Sequence, residues 1–195
     1  MQQDYKIDGY VFRLRHATMD DAPFIVNLRS NQPFLNSGSS TIEEQKAWLQ
    51  NHYAQPSAYY FIIEEKHSQQ AQGTFRATII PQGSRAKLDS WAILPGSLAA
   101  TESLLLMGRF VFTTLNLNAF EALVIKQNIE ALSAYKLIGA KKIAEKTTIT
   151  RGKTYGCEVL ELTSQVWGKQ SKILEELSMR TAQKYLSASP KKQCK

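Results

Sequence analysis

The chain reads as one α/β domain. The prediction is a mixed central sheet, antiparallel in its N-terminal half and with a parallel central pair, helices on both faces and an extra C-terminal helix. Three observations carry it. Between residues 58 and 94 the strand-like runs AYYFIIEEK, TFRATII and AKLDSWAIL follow one another across short turns, as antiparallel neighbours do. Next, AKLDSWAIL, the apolar helical run AATESLLLMGRFVFTTL and the short strand FEALVIK form a strand–helix–strand unit, which sets two strands parallel. Helices do not alternate with strands throughout, which excludes a doubly wound sheet. At 195 residues one domain is expected, with residues 1–167 as its body, 168–187 as an amphipathic helix and 188–195 as a basic disordered tail.

The elements follow in order. VFRLRHAT alternates apolar and polar residues, the pattern of a half-buried strand. MDDAPFIVNLRSN has acids in its first turn, Pro23 near its start and an apolar stripe at Phe24, Ile25 and Leu28, so it is a helix. QPFLNSGSS is loop. Thr41 and Glu44 form a capping box that opens the helix IEEQKAWLQNHYA. HSQQAQG and PQGSR are the turns that separate the three consecutive strands. The run AATESLLLMGRFVFTTL is apolar around most of its circumference and should be largely buried. NIEALSAYKLI is the next helix, stopped by Gly139. KKIAEKTTITRG and YGCEVLELTSQVW read as a closing hairpin. From residue 169 an amphipathic helix presents Leu174, Leu177, Thr181 and Tyr185 on one face, for packing on the body or on a second subunit as a homodimer.

Hydrophobic residues make up 43% of the chain and charged residues 21%, the balance of a globular protein with its own core. The longest apolar run, LLLMGRFVF, is broken by Arg109 and falls short of the roughly 20 residues of a membrane span. No basic-then-apolar leader opens the chain, and Cys157 and Cys194 make no disulfide framework, so a cytoplasmic location is expected. The net charge of +7 is concentrated at the end: residues 168–195 carry seven Lys/Arg against two Glu, leaving +2 for the rest. The body is nearly balanced, and a nucleic-acid partner is not expected.

No metal site is expected, because His16, His52 and His67 are far apart, are expected in exposed surroundings and have no paired-cysteine partner. No nucleophile elbow, Walker loop or dinucleotide fingerprint occurs. Two features do carry chemistry. Asn128 ends a strand and opens a helix, and Tyr135 follows seven residues later, about two turns on and within roughly 20° of the same direction. Both can therefore border one cleft at the carboxyl end of the central strands, where open sheets bind ligands. The second is AILPGSLAATES, where a strand passes through Pro-Gly into a helix. A helix start offers backbone N–H groups and partial positive charge to an anion. With one glycine, however, the same stretch serves equally as a plain connection with Ser97 as N-cap.

NIEALSAYKLIGAKKI resembles the second half of the GCN5-related N-acetyltransferase family, which has Asn, a small residue three on, Tyr seven on and a Gly-aromatic pair. Here these are Asn128, Ala131, Tyr135 and Gly139-Ala140, without the aromatic. FRLRHATMDDAPFIVNLR is similar to the family's first strand and helix. ILPGSLAATESLLL is similar to the acetyl-CoA turn of its ribosomal-protein-acetylating branch. The resemblance spans about residues 11–167.

The resemblance implies an acetyl-CoA-dependent N-acetyltransferase without a metal. The two central strands would part around the pantetheine arm, with Ile93 offering its backbone. Gly96, Ser97, Leu98, Ala99, Ala100 and Thr101 would present the pyrophosphate turn, with Asn128 beside the cofactor. Leu98 departs from the family's glycine or arginine, the usual basic residue is missing, and Glu102 must face away from the phosphates. Arg109 or Lys126 could supply the missing charge. Tyr135 would be the general acid and Asp89 the base, with Glu64 and Glu65 as weaker candidates. Arg29, Asn36, Arg76 and Trp91 would bind the acceptor. LRSNQPFLNSGSSTIEEQKAWL and DSW also resemble members that acetylate amino sugars on nucleotides, through Arg29, Asn31, Gln45, Trp48 and Tyr60. The acceptor implied is a small-molecule amine, such as a nucleotide-linked amino sugar. Protein N-terminal or lysine acetylation, and a non-catalytic CoA-binding module, remain the alternatives.

Overall fold

The computed structural model describes residues 4–35, 41–81 and 84–188, without the side chains of Leu186 and Ala188. Eight strands form one sheet in the order β1-β2-β3-β4-β5-β6-β8-β7. They are β1 Lys6–Asp8, β2 Phe12–His16, β3 Ala58–Glu65, β4 Ala71–Ile80, β5 Arg85–Ile93, β6 Ala119–Ile125, β7 Lys141–Thr150 and β8 Lys153–Thr163. Five α-helices accompany them among the described residues: α1 Ala22–Ser30, α2 Ile42–Tyr53, α3 Ala99–Arg109, α4 Ile129–Leu137 and α5 Ser164–Ala188. Every pairing is antiparallel except β5 with β6, so the predicted mixed sheet with a parallel centre is present.

The capping box at Thr41 forms: its side chain accepts from the Glu44 N–H while the Glu44 carboxylate accepts from the Thr41 N–H. Asn128 caps α4 by accepting from the Ala131 N–H at 3.1 Å. Gly139 ends that helix at φ +84, a conformation that disfavours a side chain. The run after α3 stays helical as a π turn over Phe110–Thr114.

The sheet divides the core in two. On one face α3 packs against Phe61, Phe75, Leu88 and Phe120, with Phe110 and Leu105 fully buried. On the other, α1 and α2 cover a smaller cluster at Ile25, Leu49, Tyr60 and Ile62. β3 is buried along its whole length, because both faces are covered.

Two elements differ from the sequence reading. The last helix begins at Ser164 rather than 169, because TSQVW turns out of β8 directly into helix. Its face at Leu174, Ser178 and Ala182 is buried on its own chain. Gly108 in α3 gives the Trp167 indole the space that a Cβ would occupy, and Tyr185 meets Phe12 edge-on at 6.1 Å. That face therefore packs on the body. The short edge strand β1 was also missed; three residues hold too little pattern to reveal it. The tail at 189–195, with Cys194, lies outside the described residues.

Candidate active site

The site begins with a fault in the sheet. Across β4 and β5, Thr74 pairs with Ala92 and Arg76 with Asp89, so Phe75 stands opposite both Ser90 and Trp91. This is a β-bulge. Ser90 sits at φ 52, and its carbonyl accepts from the Thr74 hydroxyl at 2.7 Å. A bulge bends its strand, and β5 does leave its parallel neighbour at this point. Pairing with β6 ends at Leu88 opposite Ala122, although β5 runs on to Ile93 and β6 to Ile125. The Leu94 N–H donates to Gln72 on β4, so by alternation the polar backbone groups of Ile93 face away from β4 and into the gap.

Two cavities meet in that gap. The larger, about 570 Å³, lies between the end of β5, the turn after it, and the starts of α3 and α4. The smaller, about 120 Å³, is lined by Asp89, Tyr135, Val124 and Phe34 among others. Trp91, Asn128 and Ala131 line both. The spacing that placed Asn128 and Tyr135 on one side of a helix thus brings them to one opening.

The turn Leu94-Pro95-Gly96-Ser97 closes with the Ser97 N–H on the Leu94 carbonyl at 3.1 Å. Pro95 occupies its second position and Gly96 its third at φ +80, the pattern of a type II turn. One glycine therefore suffices, because only one residue adopts a positive φ. Gly96, Ser97 and Ala100 line the larger cavity. Leu98 precedes the first residue of α3 and points to solvent at 51% exposure, while Ala99 is fully buried. The Ala99 N–H is held by the Ser97 hydroxyl at 3.3 Å. The helix start leaves the N–H groups of Ala100 and Thr101 without an acceptor inside the helix. Glu102 faces away as required: its carboxylate is buried and accepts from the Val11 and Phe12 N–H groups on the opposite side of α3. Burial pushes its pKa up, against the pull of those N–H groups.

Neither expected cation reaches the turn. Arg109 ends α3 and binds Glu175 at 2.6 Å, and Lys126 binds Glu145 at 2.7 Å. An acid, Glu130, lines the cavity instead.

Tyr135 is 3% exposed, edge-on to Trp91 at 5.5 Å and to Phe120 at 6.2 Å. Burial, and then the charge of Asp89, push its pKa well above the ordinary tyrosine value, so its hydroxyl keeps its proton. Asp89 is gripped by Arg76 through both oxygens, Nε to Oδ1 at 2.6 Å and Nη2 to Oδ2 at 2.7 Å. The expectation that Arg76 binds the acceptor is thereby corrected: its guanidinium fork is filled by Asp89.

Tyr60, Arg76 and Asp89 stand side by side on β3, β4 and β5, on the face covered by α1 and α2. The Arg76 guanidinium lies 5.6 Å above the Trp48 ring, and Trp48 stacks on His52 at 4.8 Å. Burial pushes the Tyr60 hydroxyl up, opposed by the charges of Arg29 and Arg76. Five elements thus bring Arg29, Trp48, Tyr60, Arg76 and Asp89 together. Trp91 instead turns to the α3 face, stacked on Phe75 and donating to the Ser103 hydroxyl at 3.1 Å. Asn36 lies outside the described residues.

Three expectations are corrected here. His52 is not exposed; it is 3% exposed, and burial followed by the Arg76 charge lowers its pKa to about 4. Glu64, bound by Arg15 at 2.5 Å, and Glu65, which accepts from the His67 and Ser68 N–H groups, line neither cavity, whereas Asp89 lines the smaller one. Gln32 and Phe34 line the cavities from the loop whose resemblance pointed to the acceptor, and Arg151 and Tyr155, which hold that loop, had no sequence signal. The loop and the hairpin tip are about 120 residues apart, and no periodic pattern marks such residues.

A family model described as an acetyltransferase (GNAT) domain matches residues 12–141. The fold is shared with FdhC, a nucleotide-linked sugar GNAT, in its apo form, at TM-score 0.74 and 23% identity over 86% of this chain and 94% of that one. It is also shared with a variant of the spermidine N-acetyltransferase SpeG from Vibrio cholerae, at TM-score 0.72 and 18% identity over 82% and 97%. A third neighbour, a putative ribosomal-protein-serine acetyltransferase from Vibrio cholerae, gives 0.69 and 20% over 84% and 99%. No curated protein matches the chain in sequence.

Proposed function

Taking as premise that the chain belongs to the acetyltransferase (GNAT) domain family and is an N-acetyltransferase, we propose that it moves the acetyl group of acetyl-CoA to the primary amine of a small molecule, and that an amino sugar carried on a nucleotide is the preferred acceptor. The observation that carries this reading is the junction of the two cavities. There Tyr135 and Asp89 flank the point where β5 leaves β6.

The residues present fit acetyl-CoA. The gap exposes the Ile93 backbone to an amide-bearing arm, and Gly96, Ser97, Ala100 and Thr101 set a helix start toward a pyrophosphate. Acetyl-CoA supplies the thioester. Asp89, anionic and fixed by Arg76, accepts a hydrogen bond from the acceptor's ammonium and draws off its proton, directly or through water. The neutral amine attacks the thioester carbonyl; the C–N bond forms and the C–S bond breaks. Tyr135, held protonated, gives its proton to the leaving thiolate, and the proton that the nitrogen sheds as the amide forms restores the tyrosine through water.

The charge around the smaller cavity supports an acceptor other than a polyamine. Asp89, the acid among its described lining residues, is held by Arg76, whereas a polyamine needs uncompensated acids. The small volume supports a small acceptor over a peptide. Release of free thiol from acetyl-CoA, measured side by side with a nucleotide-linked amino sugar, the free amino sugar, spermidine and an N-terminal peptide, tests the reading. Turnover is expected with the nucleotide-linked sugar. Turnover with the peptide alone reverses the acceptor class, and none with any amine would favour a non-catalytic module.

A further inference from the structure

The loop Asn31–Leu35 leaves the end of α1 and crosses the opening between β5 and β6. Gln32 and Pro33 line the larger cavity, and Phe34 and Leu35 the smaller, so this strap lies over the junction. It is held from two directions. On the sheet side, the Gln32 Nε2 donates to the Ile93 carbonyl at 3.1 Å. On the solvent side, Arg151 at the tip of the β7–β8 hairpin donates from Nη2 to three carbonyls, of Arg29 at 3.0 Å, Ser30 at 2.9 Å and Gln32 at 3.1 Å. Phe34 stands edge-on to Tyr155 of the same hairpin at 6.2 Å.

The Ile93 carbonyl is an acceptor on a strand edge that lost its partner where β6 diverged. A side-chain amide now holds it. We infer that Gln32 is a latch: its carboxamide occupies the strand edge that the pantetheine arm of acetyl-CoA takes, and it must leave when the arm enters. The inference rests on the proposed reading that the arm lies between β5 and β6. The exchange is like for like, since the arm and Gln32 both bring an amide N–H to the same carbonyl. Arg151 holds the Gln32 main-chain carbonyl, so the side chain can swing away while the strap and Phe34 stay in place over the smaller cavity. Gln32 thereby competes with the arm alone and leaves the pyrophosphate turn unaffected.

Titration calorimetry on the full chain tests the latch with two probes: acetyl-CoA, and the bisphosphorylated adenosine half of CoA, which lacks the arm. Gln32→Ala and Gln32→Met both remove the competing donor, and Met keeps the length of the side chain. Each is expected to tighten acetyl-CoA about fivefold, the worth of one amide hydrogen bond. Neither should change binding of the adenosine half. Unchanged or weaker acetyl-CoA binding in both variants overturns the latch, as does equal tightening of both probes. If the unaltered chain binds neither probe, the reading of the cleft as a CoA site fails, and the latch with it.

Discussion

Arg76 and Asp89 face each other across β4 and β5 and join through two parallel hydrogen bonds of 2.6 and 2.7 Å, directly before the bulge that parts β5 from β6. The pair fixes a carboxylate at the mouth of the opening with its charge balanced and its direction set. Asp89→Asn keeps the shape and removes the proton acceptor. Steady-state kinetics should show kcat/KM lowered about 10²- to 10³-fold, with a melting temperature lower by a few degrees because Arg76 loses its charged partner. Near-normal turnover would place the base elsewhere.

Tyr135→Phe removes only a hydroxyl from a packed ring. Its kcat is expected to fall about 10²-fold or more, while acetyl-CoA affinity by calorimetry stays within about twofold. An unchanged kcat would leave Tyr135 as a packing residue between Trp91 and Phe120.

Gly96→Ala puts a side chain at φ +80 with open space around it, so the effect is conformational rather than a clash. Strain of about 1–2 kcal/mol is expected at the turn. The apparent Kd for acetyl-CoA should rise several-fold, as calorimetry would read. Full affinity would mean that the turn takes no part in binding.

His52 carries a pH signature. Its pKa in the fold is lowered to about 4, while the unfolded imidazole has an ordinary value near 6.5. Between these values the unfolded chain takes up a proton that the folded chain refuses, so stability is full above pH ~6.5 and falls as the pH drops toward 4. His52→Phe should flatten the decline in melting temperature across that window. An unaltered pH curve would show that His52 is not the group responsible.

Gly108→Ala places a methyl group where the Trp167 indole lies on α3. Alanine favours the helix, but the ring must shift, and overpacking of this kind costs about 1–3 kcal/mol. A melting temperature several degrees lower is expected; an equal or higher one would mean that α5 repacks freely.

Much of the site was legible because it follows local rules. Asn128 and Tyr135 are linked by helix periodicity alone, and the Asn128 cap could be read from residue type and position. Pro95-Gly96 announced a turn between a strand and a buried helix. Glu102 turns to the Val11 and Phe12 N–H groups, in line with the expectation that an acid in that first turn faces away from a bound anion. Other expectations failed where local pattern is silent. Arg76 and Asp89 are thirteen residues apart, and only the β4–β5 register shows that each takes the other. His52 sits in a polar stretch, yet Trp48 and Tyr60 bury it.

The sequence by itself determined the elements, the parallel pair at the centre of the sheet and the position of a cleft at the carboxyl end of its central strands, because periodicity, capping and turn chemistry act over a few residues. Tertiary structure alone decided how the cleft is furnished. The bulge opposite Phe75 opens it, the Arg76–Asp89 pair fixes its charge, and the strap held between Ile93 and Arg151 covers it. Each of these depends on groups far apart in the chain meeting within a few ångströms, and only the folded sheet brings them that close.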